Sequence, residues 1–292
     1  MAAVSVTHFT DPGCPWAYSA GPDLAVLAWR FGSQLEWQLV TIGLAERHEQ
    51  YVERGYTPER AAAGYLTFRR FGMPFSPGVR MRVMGTSPAC RAIVATRLLH
   101  PAREHAVFRA LQFSWFTTEE LMDTAPAIER ALAGVEGIDA SAVVAAIERD
   151  DVREAYEADR ARARTAAGTP TEAQGKTAAT DGPVRYTAPS LVLRQGDRCL
   201  EAGGFQSIGA YDVCLANLDT TLERRPPAQT AAEALAAFPD GLTTQEVAAI
   251  MTPPLAPVDR TAAERSLLEA VAAGALRRTA LGDDALWRPS ES

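Results

Sequence analysis

The sequence predicts an α/β fold with a long helical insertion between its second and third strands, followed by a small C-terminal unit. Three observations predict it. A strand–helix–strand pattern fills roughly the first forty residues, residues 57–168 carry helical periodicity with almost no strand signal, and strand character returns after residue 186.

Residues 3–10 are rich in β-branched and aromatic side chains and stop at the turn Asp11-Pro12-Gly13. From Pro15 the pattern is helical, with Leu24, Leu27, Ala28 and Phe31 three or four residues apart, and it ends at Gly32. Leu35 to Ile42 is the second strand, completing a βαβ unit with the usual right-handed crossover. The insertion then shows helical patterns over Pro58–Phe71, Pro88–Leu99, Ala102–Phe116, Ala125–Leu132 and Ser141–Arg164. Ser87 is expected to cap the second of these, with Pro88 in the first helical position. The aromatic residues Phe108, Phe113, Trp115 and Phe116 are expected to form insertion core.

Residues 166–186 are small, polar and Gly/Pro-bearing, and predict a mobile loop. Ser190–Leu193 and Cys199–Ala202 flank Gln195-Gly196-Asp197 as a hairpin, and a helix after Gly203-Gly204 runs to about Glu223. Arg224-Arg225-Pro226-Pro227 reads as a linker, which sets domain limits of 1–225 and 229–292. The second part predicts helices over Ala231–Phe238, Gln245–Met251 (capped by Thr243 or Thr244) and Thr261–Ala273. Strands Ala275–Leu281 and Ala285–Arg288 follow, turning at Gly282-Asp283-Asp284. Three helices and a hairpin are the pattern of a winged helix.

At 292 residues, 47% hydrophobic and 22% charged, the chain can bury a sizeable core. A net charge of −7 argues against general binding to phosphate backbones. No apolar run approaches the roughly 20 residues that span a bilayer. The first residues carry no basic and apolar leader pattern, so a cytoplasmic location is expected. Cys14, Cys90, Cys199 and Cys214 are widely spaced, with neither metal-pair spacing nor a disulfide framework. His48, His100 and His105 form no ligand set, so no metal and no tightly bound cofactor is expected.

Cys14 falls where a strand ends and a helix begins, with Pro15 suited to the first helical turn. A sulfur there faces unpaired N–H groups and the positive end of the helix dipole, which favour thiolate. The expected pKa therefore lies below the ordinary value of about 8.5. A thiolate is the nucleophile for disulfide exchange and for opening electrophiles.

The run His8-Phe9-Thr10-Asp11-Pro12-Gly13-Cys14-Pro15-Trp16-Ala17-Tyr18 resembles the active-site opening of FrnE-like proteins of the DsbA family. It is also similar to that of kappa-class glutathione transferases and 2-hydroxychromene-2-carboxylate isomerases. The resemblance covers about residues 3–225 and implies a thioredoxin-like fold. It further implies that Ala188–Pro189, ahead of a strand, is that fold's cis-proline peptide. Ala188 would then turn its N–H and C=O toward the Cys14 sulfur and hold an extended thiol such as glutathione as an added strand. Gly204, Phe205 and Gln206 occupy the loop before the last helix of the fold. The helix N-terminus there is expected to offer N–H donors to the far carboxylate of such a ligand.

Ala17 stands where dithiol members carry their second cysteine, so an intramolecular Cys-x-x-Cys disulfide cannot form. The leading expectation is a monothiol thiol–disulfide oxidoreductase in which Cys14 forms a mixed disulfide with a low-molecular-weight thiol or a protein thiol. The alternatives are a kappa-like, thiol-dependent transferase or isomerase, and a non-catalytic binding or regulatory protein built on a degenerate thioredoxin domain. A homodimer is open in each case.

Trp16 and Tyr18 are equally suited to a substrate groove or to the core. His8 reads as a packed histidine placed by its strand near Cys14, and Asp11 as a residue orienting the turn through backbone hydrogen bonds. The C-terminal unit carries five Arg and no Lys against nine acidic residues. Its candidate recognition helix has Arg265 as its only base, beside Glu264 and Glu269. DNA binding is therefore disfavoured, and packing, dimerisation or partner docking preferred.

Overall fold

The structure is a computed structural model and describes residues 3–76 and 78–290. Strand β1 (Val4–Thr10) is followed by helices α1 (Pro15–Ser19) and α2 (Gly21–Phe31) and by β2 (Leu35–Thr41). β2 runs parallel to β1, with Val4 opposite Leu35 and Thr10 opposite Thr41. The single helix expected from Pro15 to Gly32 is two, because Pro22 has no N–H to give the Tyr18 carbonyl four residues back.

The insertion consists of α3 (Glu49–Glu53), α4 (Pro58–Phe68), α5 (Ser87–Leu99), α6 (Glu104–Thr117), α7 (Ala125–Leu132), α8 (Ala140–Ala146) and α9 (Asp150–Ala163). Two expectations change here. The pattern over 141–164 divides, and α9 starts afresh with Asp150 and Asp151 at its positive end. Thr86, not Ser87, is the residue before α5, and neither side chain caps it. Thr86 Oγ1 donates to Asp11 at 2.9 Å, and Ser87 Oγ donates to Glu46 at 2.8 Å.

The segment expected as a mobile loop contains α10 (Pro170–Ala173) and an antiparallel ribbon of β3 (Thr177–Ala178) and β4 (Arg185–Tyr186). It is tied down by long-range contacts invisible to local composition. Tyr186 stacks on Phe9 with ring centroids 4.4 Å apart, and Glu201 accepts from both Tyr186 and Thr171. Strands β5 (Ser190–Gln195) and β6 (Arg198–Ala202) and helix α11 (Ile208–Leu218) complete this part. The sheet order is β2-β1-β5-β6, with β5 antiparallel to both neighbours.

Helices cover both faces of β1, so its residues are buried on alternate sides. Val4 and Val6 pack with Leu27, Phe31, Leu193 and Leu215 beneath α2 and α11. Phe9 packs on the opposite face with Val40, Ile42, Val192 and Cys14. The largest core lies among the insertion helices and includes Phe108, Phe113, Trp115 and Phe116.

The C-terminal residues form α12 (Ala231–Ala236), β7 (Leu242–Thr243), α13 (Thr244–Met251), α14 (Arg260–Ala272), β8 (Leu276–Leu281) and β9 (Asp284–Pro289). The strand order is β7-β9-β8. β7, two residues long, is too short to leave a periodic signal. Thr243 and Glu246 make a reciprocal capping box at the start of α13. Leu235, Val247, Ile250, Leu267 and Trp287 share one core with Ala25, Val26 and Trp29 of α2, so this unit packs directly on the preceding fold.

The β8–β9 turn docks as well. Asp283 Oδ1 accepts from the Phe75 N–H at 2.8 Å, and Oδ2 pairs with Arg69 at 2.8 Å. Gly282 has φ +56°, and a Cβ there would lie 3.1 Å from the Phe75 carbonyl oxygen, so the close approach favours glycine. Asp283→Ala is expected to cost about 1–2 kcal/mol, mostly from the stranded Phe75 N–H, because the Arg69 pair is solvated. A urea midpoint indistinguishable from that of the unaltered chain would contradict this. Among the described residues, no helix is long and apolar enough to cross a membrane.

Candidate active site

The site is built on the turn that ends β1. The Asp11 carboxylate accepts from the N–H groups of Gly13 and Leu44 and from Thr86 Oγ1, each at 2.9 Å, and Cys90 Sγ lies 3.6 Å away. One buried carboxylate thus ties the turn to the segment after β2 and to the start of α5. Gly13 is needed for space, since a Cβ there would come within 2.7 Å of the Trp115 ring. Cys14 follows as the N-cap of α1 in an extended conformation, with Pro15 opening the helix.

Cys14 is only 7% exposed. The Ala188–Pro189 peptide is cis, and the Cys14 thiol donates to the Ala188 carbonyl oxygen across 3.1 Å. Ser190 Oγ accepts from the Gly204 N–H at 3.0 Å, which fastens the loop before α11 to the start of β5. Ala17 is buried beneath Cys14 in the same apolar cluster.

The expected thiolate is corrected by this burial. Removal from water pushes the Cys14 pKa up to about 12. The backbone N–H groups of Ala17 and Trp16 and the charge of Arg185 pull it down, Asp11 pushes it up, and burial prevails. The helix of five residues supplies little field, and the hydrogen bond to Ala188 holds the neutral thiol.

The other predicted residues divide. Trp16, 41% exposed, projects from α1 and meets Phe68, Phe71 and Phe205 at 4.9, 5.7 and 5.4 Å between ring centroids. Tyr18 belongs to the core: its hydroxyl donates to the Pro74 carbonyl at 2.8 Å and its ring stacks on Phe116. His8 is buried on the face of β1 opposite Phe9, edge-on to Trp37 and Phe108, and so is not brought to Cys14. Burial, helped by His105, pushes its pKa down to about 3, so it stays neutral. Gln206 donates to the Gly203 carbonyl at 2.8 Å. The α11 N-terminus, expected to receive a ligand carboxylate, already gives its Ile208 N–H to Asp23 at 2.8 Å. Cys90 is buried, Cys199 is exposed on the edge strand, and Cys214 lies on α11; all are free thiols.

Sequence reasoning missed an opening beside the active-site turn. A cavity of about 350 Å3 lies between the active-site turn and the insertion, bordered by Gly13, Pro15 and Trp16. Tyr51, Tyr65, Phe68 and Trp115 supply aromatic wall, and Arg60, Arg80 and Arg82 supply charge. These residues come from α3, α4, the segment before α5, and α6, too dispersed to form a motif.

A four-stranded sheet of this order, with a helix-capping cysteine facing a cis-proline peptide and a helical insertion, defines a thioredoxin-like fold of the DsbA type. The chain belongs to the DsbA-like thioredoxin family, whose domain model matches residues 5–186. Members of that family are thiol–disulfide oxidoreductases. No curated protein matches the sequence. Among solved structures, a candidate protein disulfide isomerase from Nitrosomonas europaea superposes with a TM-score of 0.56 at 18% identity, covering 74% of this chain and 97% of its own. A probable DsbA oxidoreductase from Streptomyces coelicolor gives 0.54 at 18% identity, covering 77% and 93%. The cytosolic disulfide reductase DsbM from Pseudomonas aeruginosa gives 0.50 at 19%, covering 75% and 98%, and has also been solved with GSH.

Proposed function

We propose that the chain is a monothiol thiol–disulfide oxidoreductase in which Cys14 is the nucleophile. The observation that carries this reading is the Cys14 sulfur held 3.1 Å from the Ala188 carbonyl at the cis-proline, with alanine at position 17. The Cys14 thiolate attacks one sulfur of a disulfide RSSR; the S–S bond breaks, RS⁻ leaves, and Cys14 carries RS as a mixed disulfide. A second thiolate attacks that sulfur and restores Cys14, so the net change is exchange of one disulfide for another. An extended substrate that takes the Ala188 carbonyl displaces the hydrogen bond that holds Cys14 neutral, which couples docking to ionisation. A small thiol such as glutathione suits the resolving role, in keeping with the GSH-bound Pseudomonas aeruginosa structure.

The test is intact-protein and peptide mass spectrometry after incubation with glutathione disulfide. One adduct on Cys14, reversed by excess glutathione and absent in Cys14→Ser, is the expected result. Modification confined to the exposed Cys199, with Cys14 untouched, would sink the assignment.

We infer that the C-terminal unit is a winged-helix-like brace for the thioredoxin-like part, not a DNA reader. Its order of helix, strand, two helices and hairpin supports the first half. The docked turn at Gly282–Asp283 supports the second, since in a nucleic-acid reader of this design that hairpin is free to meet the duplex.

A further inference from the structure

We propose that the cavity beside the Cys14 turn is a binding site for a small organic anion with a flat, apolar body. Among the described residues, the ionised groups on its wall are all of one sign. Arg60, Arg80 and Arg82 line it and, among the described residues, no aspartate or glutamate does. In a chain of net charge −7, that concentration of cations is a local feature and not a reflection of composition.

The three arginines are not equally neutralised. Arg82 is matched by Asp123 in a two-pronged pair at 2.5 and 2.8 Å. Arg80 instead donates to main-chain oxygens: Glu120 at 3.3 Å, Thr118 at 2.6 Å, and Trp115. The Tyr65 phenol is a further partner, and Glu119 acts on Arg80 only from beyond ion-pair distance. Arg60 donates to the Gly55 carbonyl at 3.0 Å and lies over the Tyr56 ring at 5.6 Å, again with no carboxylate in ion-pair reach among the described residues. Carbonyl dipoles orient a guanidinium without cancelling its charge, and low-dielectric aromatic walls strengthen its attraction for an incoming anion.

The shape of the occupant follows from the same walls. Arg60 gives only Nη1 to the Gly55 carbonyl, so its Nε–Nη2 edge is available to match a carboxylate or sulfonate through paired N–H bonds. Arg80, whose Nε and Nη2 hydrogens go to main-chain oxygens, contributes charge. Trp16, Tyr51, Tyr65, Phe68 and Trp115 present ring faces and edges suited to a flat hydrocarbon. About 350 Å3 lies within the range of small-molecule pockets. A ligand seated there abuts Gly13, Pro15 and Trp16, the residues flanking the Cys14 sulfur. The proposal goes beyond the exchange chemistry, because equilibrium binding by these walls does not require Cys14 to react.

Isothermal titration calorimetry on the full chain tests it with two probes of equal shape, naphthalene-2-carboxylate and its neutral carboxamide. The expected result is one site per chain that prefers the carboxylate at least tenfold, with the preference shrinking as sodium chloride is raised. Cys14→Ser keeps that preference, which separates this proposal from the fate of the thiol assignment. Arg80→Met and Arg60→Met each reduce it severalfold; Arg60 is exposed at the rim, so its variant decides the matter should Arg80→Met fold poorly. Equal affinity for the two probes, no heat from either at millimolar concentration, or an intact preference in Arg60→Met would overturn the proposal.

Discussion

Iodoacetamide is expected to alkylate Cys14 at pH 7 about a hundredfold more slowly than it alkylates free cysteine. With its pKa near 12, Cys14 is ionised at pH 7 to an extent about three to four powers of ten below that of an ordinary thiol near 8.5. The more basic thiolate is also the better nucleophile, and a Brønsted slope of about 0.4–0.5 recovers a little under half of that deficit on a logarithmic scale. Roughly two powers of ten remain, before restricted access to a sulfur that is 7% exposed is added. The rate should climb with pH through pH 10 without levelling. Peptide-resolved mass spectrometry measures it, with the exposed Cys199 as an internal reference. A plateau below pH 8 would show that the free protein already holds a thiolate, and would return the argument to the helix terminus. A docked strand-like substrate is expected to accelerate the reaction by claiming the Ala188 carbonyl.

Glu246→Ala is expected to destabilise the protein by about 3–5 kcal/mol, the cost of leaving a buried guanidinium without its counter-charge. Arg109 on α6 meets Glu246 on α13 in a two-pronged pair at 2.6 and 2.9 Å, and Glu246 also accepts from the Thr243 N–H and hydroxyl at 2.8 and 3.0 Å. The Glu246 side chain is fully buried, so water cannot replace what is removed. At roughly 2–4 °C per kcal/mol, Tm should fall on the order of 10 °C. The pair also sets an acid limit. Burial alone would raise the Glu246 pKa, but Arg109 and Thr243 hold it below the ordinary carboxylate range. The unfolded chain therefore binds this proton more readily than the folded one. Its stabilisation is complete well above pH 4.5 and is lost as pH falls through and below that value. A Tm change under about 2 °C in Glu246→Ala would mean that the C-terminal unit contributes little to holding the insertion.

The fold was legible where its signals are local. β-branched residues before Asp11-Pro12-Gly13, a helical pattern from Pro15, and a hairpin around Gly196 place β1, the start of α1 and the β5–β6 pair close to their observed positions. Legibility failed where a distant partner sets the outcome. The ribbon of β3 and β4 forms in a segment of loop composition because Phe9 and Glu201 receive Tyr186 and Thr171. Tyr18 is drawn into the core by Phe116 and the Pro74 carbonyl, while Trp16, two residues earlier on the same helix, stays half-exposed. The arginine-lined cavity draws on four separate stretches of chain, and nothing local distinguishes Arg80 from the arginines around it.

By itself the sequence determined the strand-to-helix junction at Cys14, the proline that opens the helix, and the alanine that removes a second thiol. These follow from backbone geometry and residue identity, which act over a few positions. Only the tertiary structure decided the state of the sulfur. A helix terminus favours thiolate through one turn of backbone, but burial against Ala188 and the apolar cluster around it acts through the whole surrounding dielectric, and here it outweighs the local field.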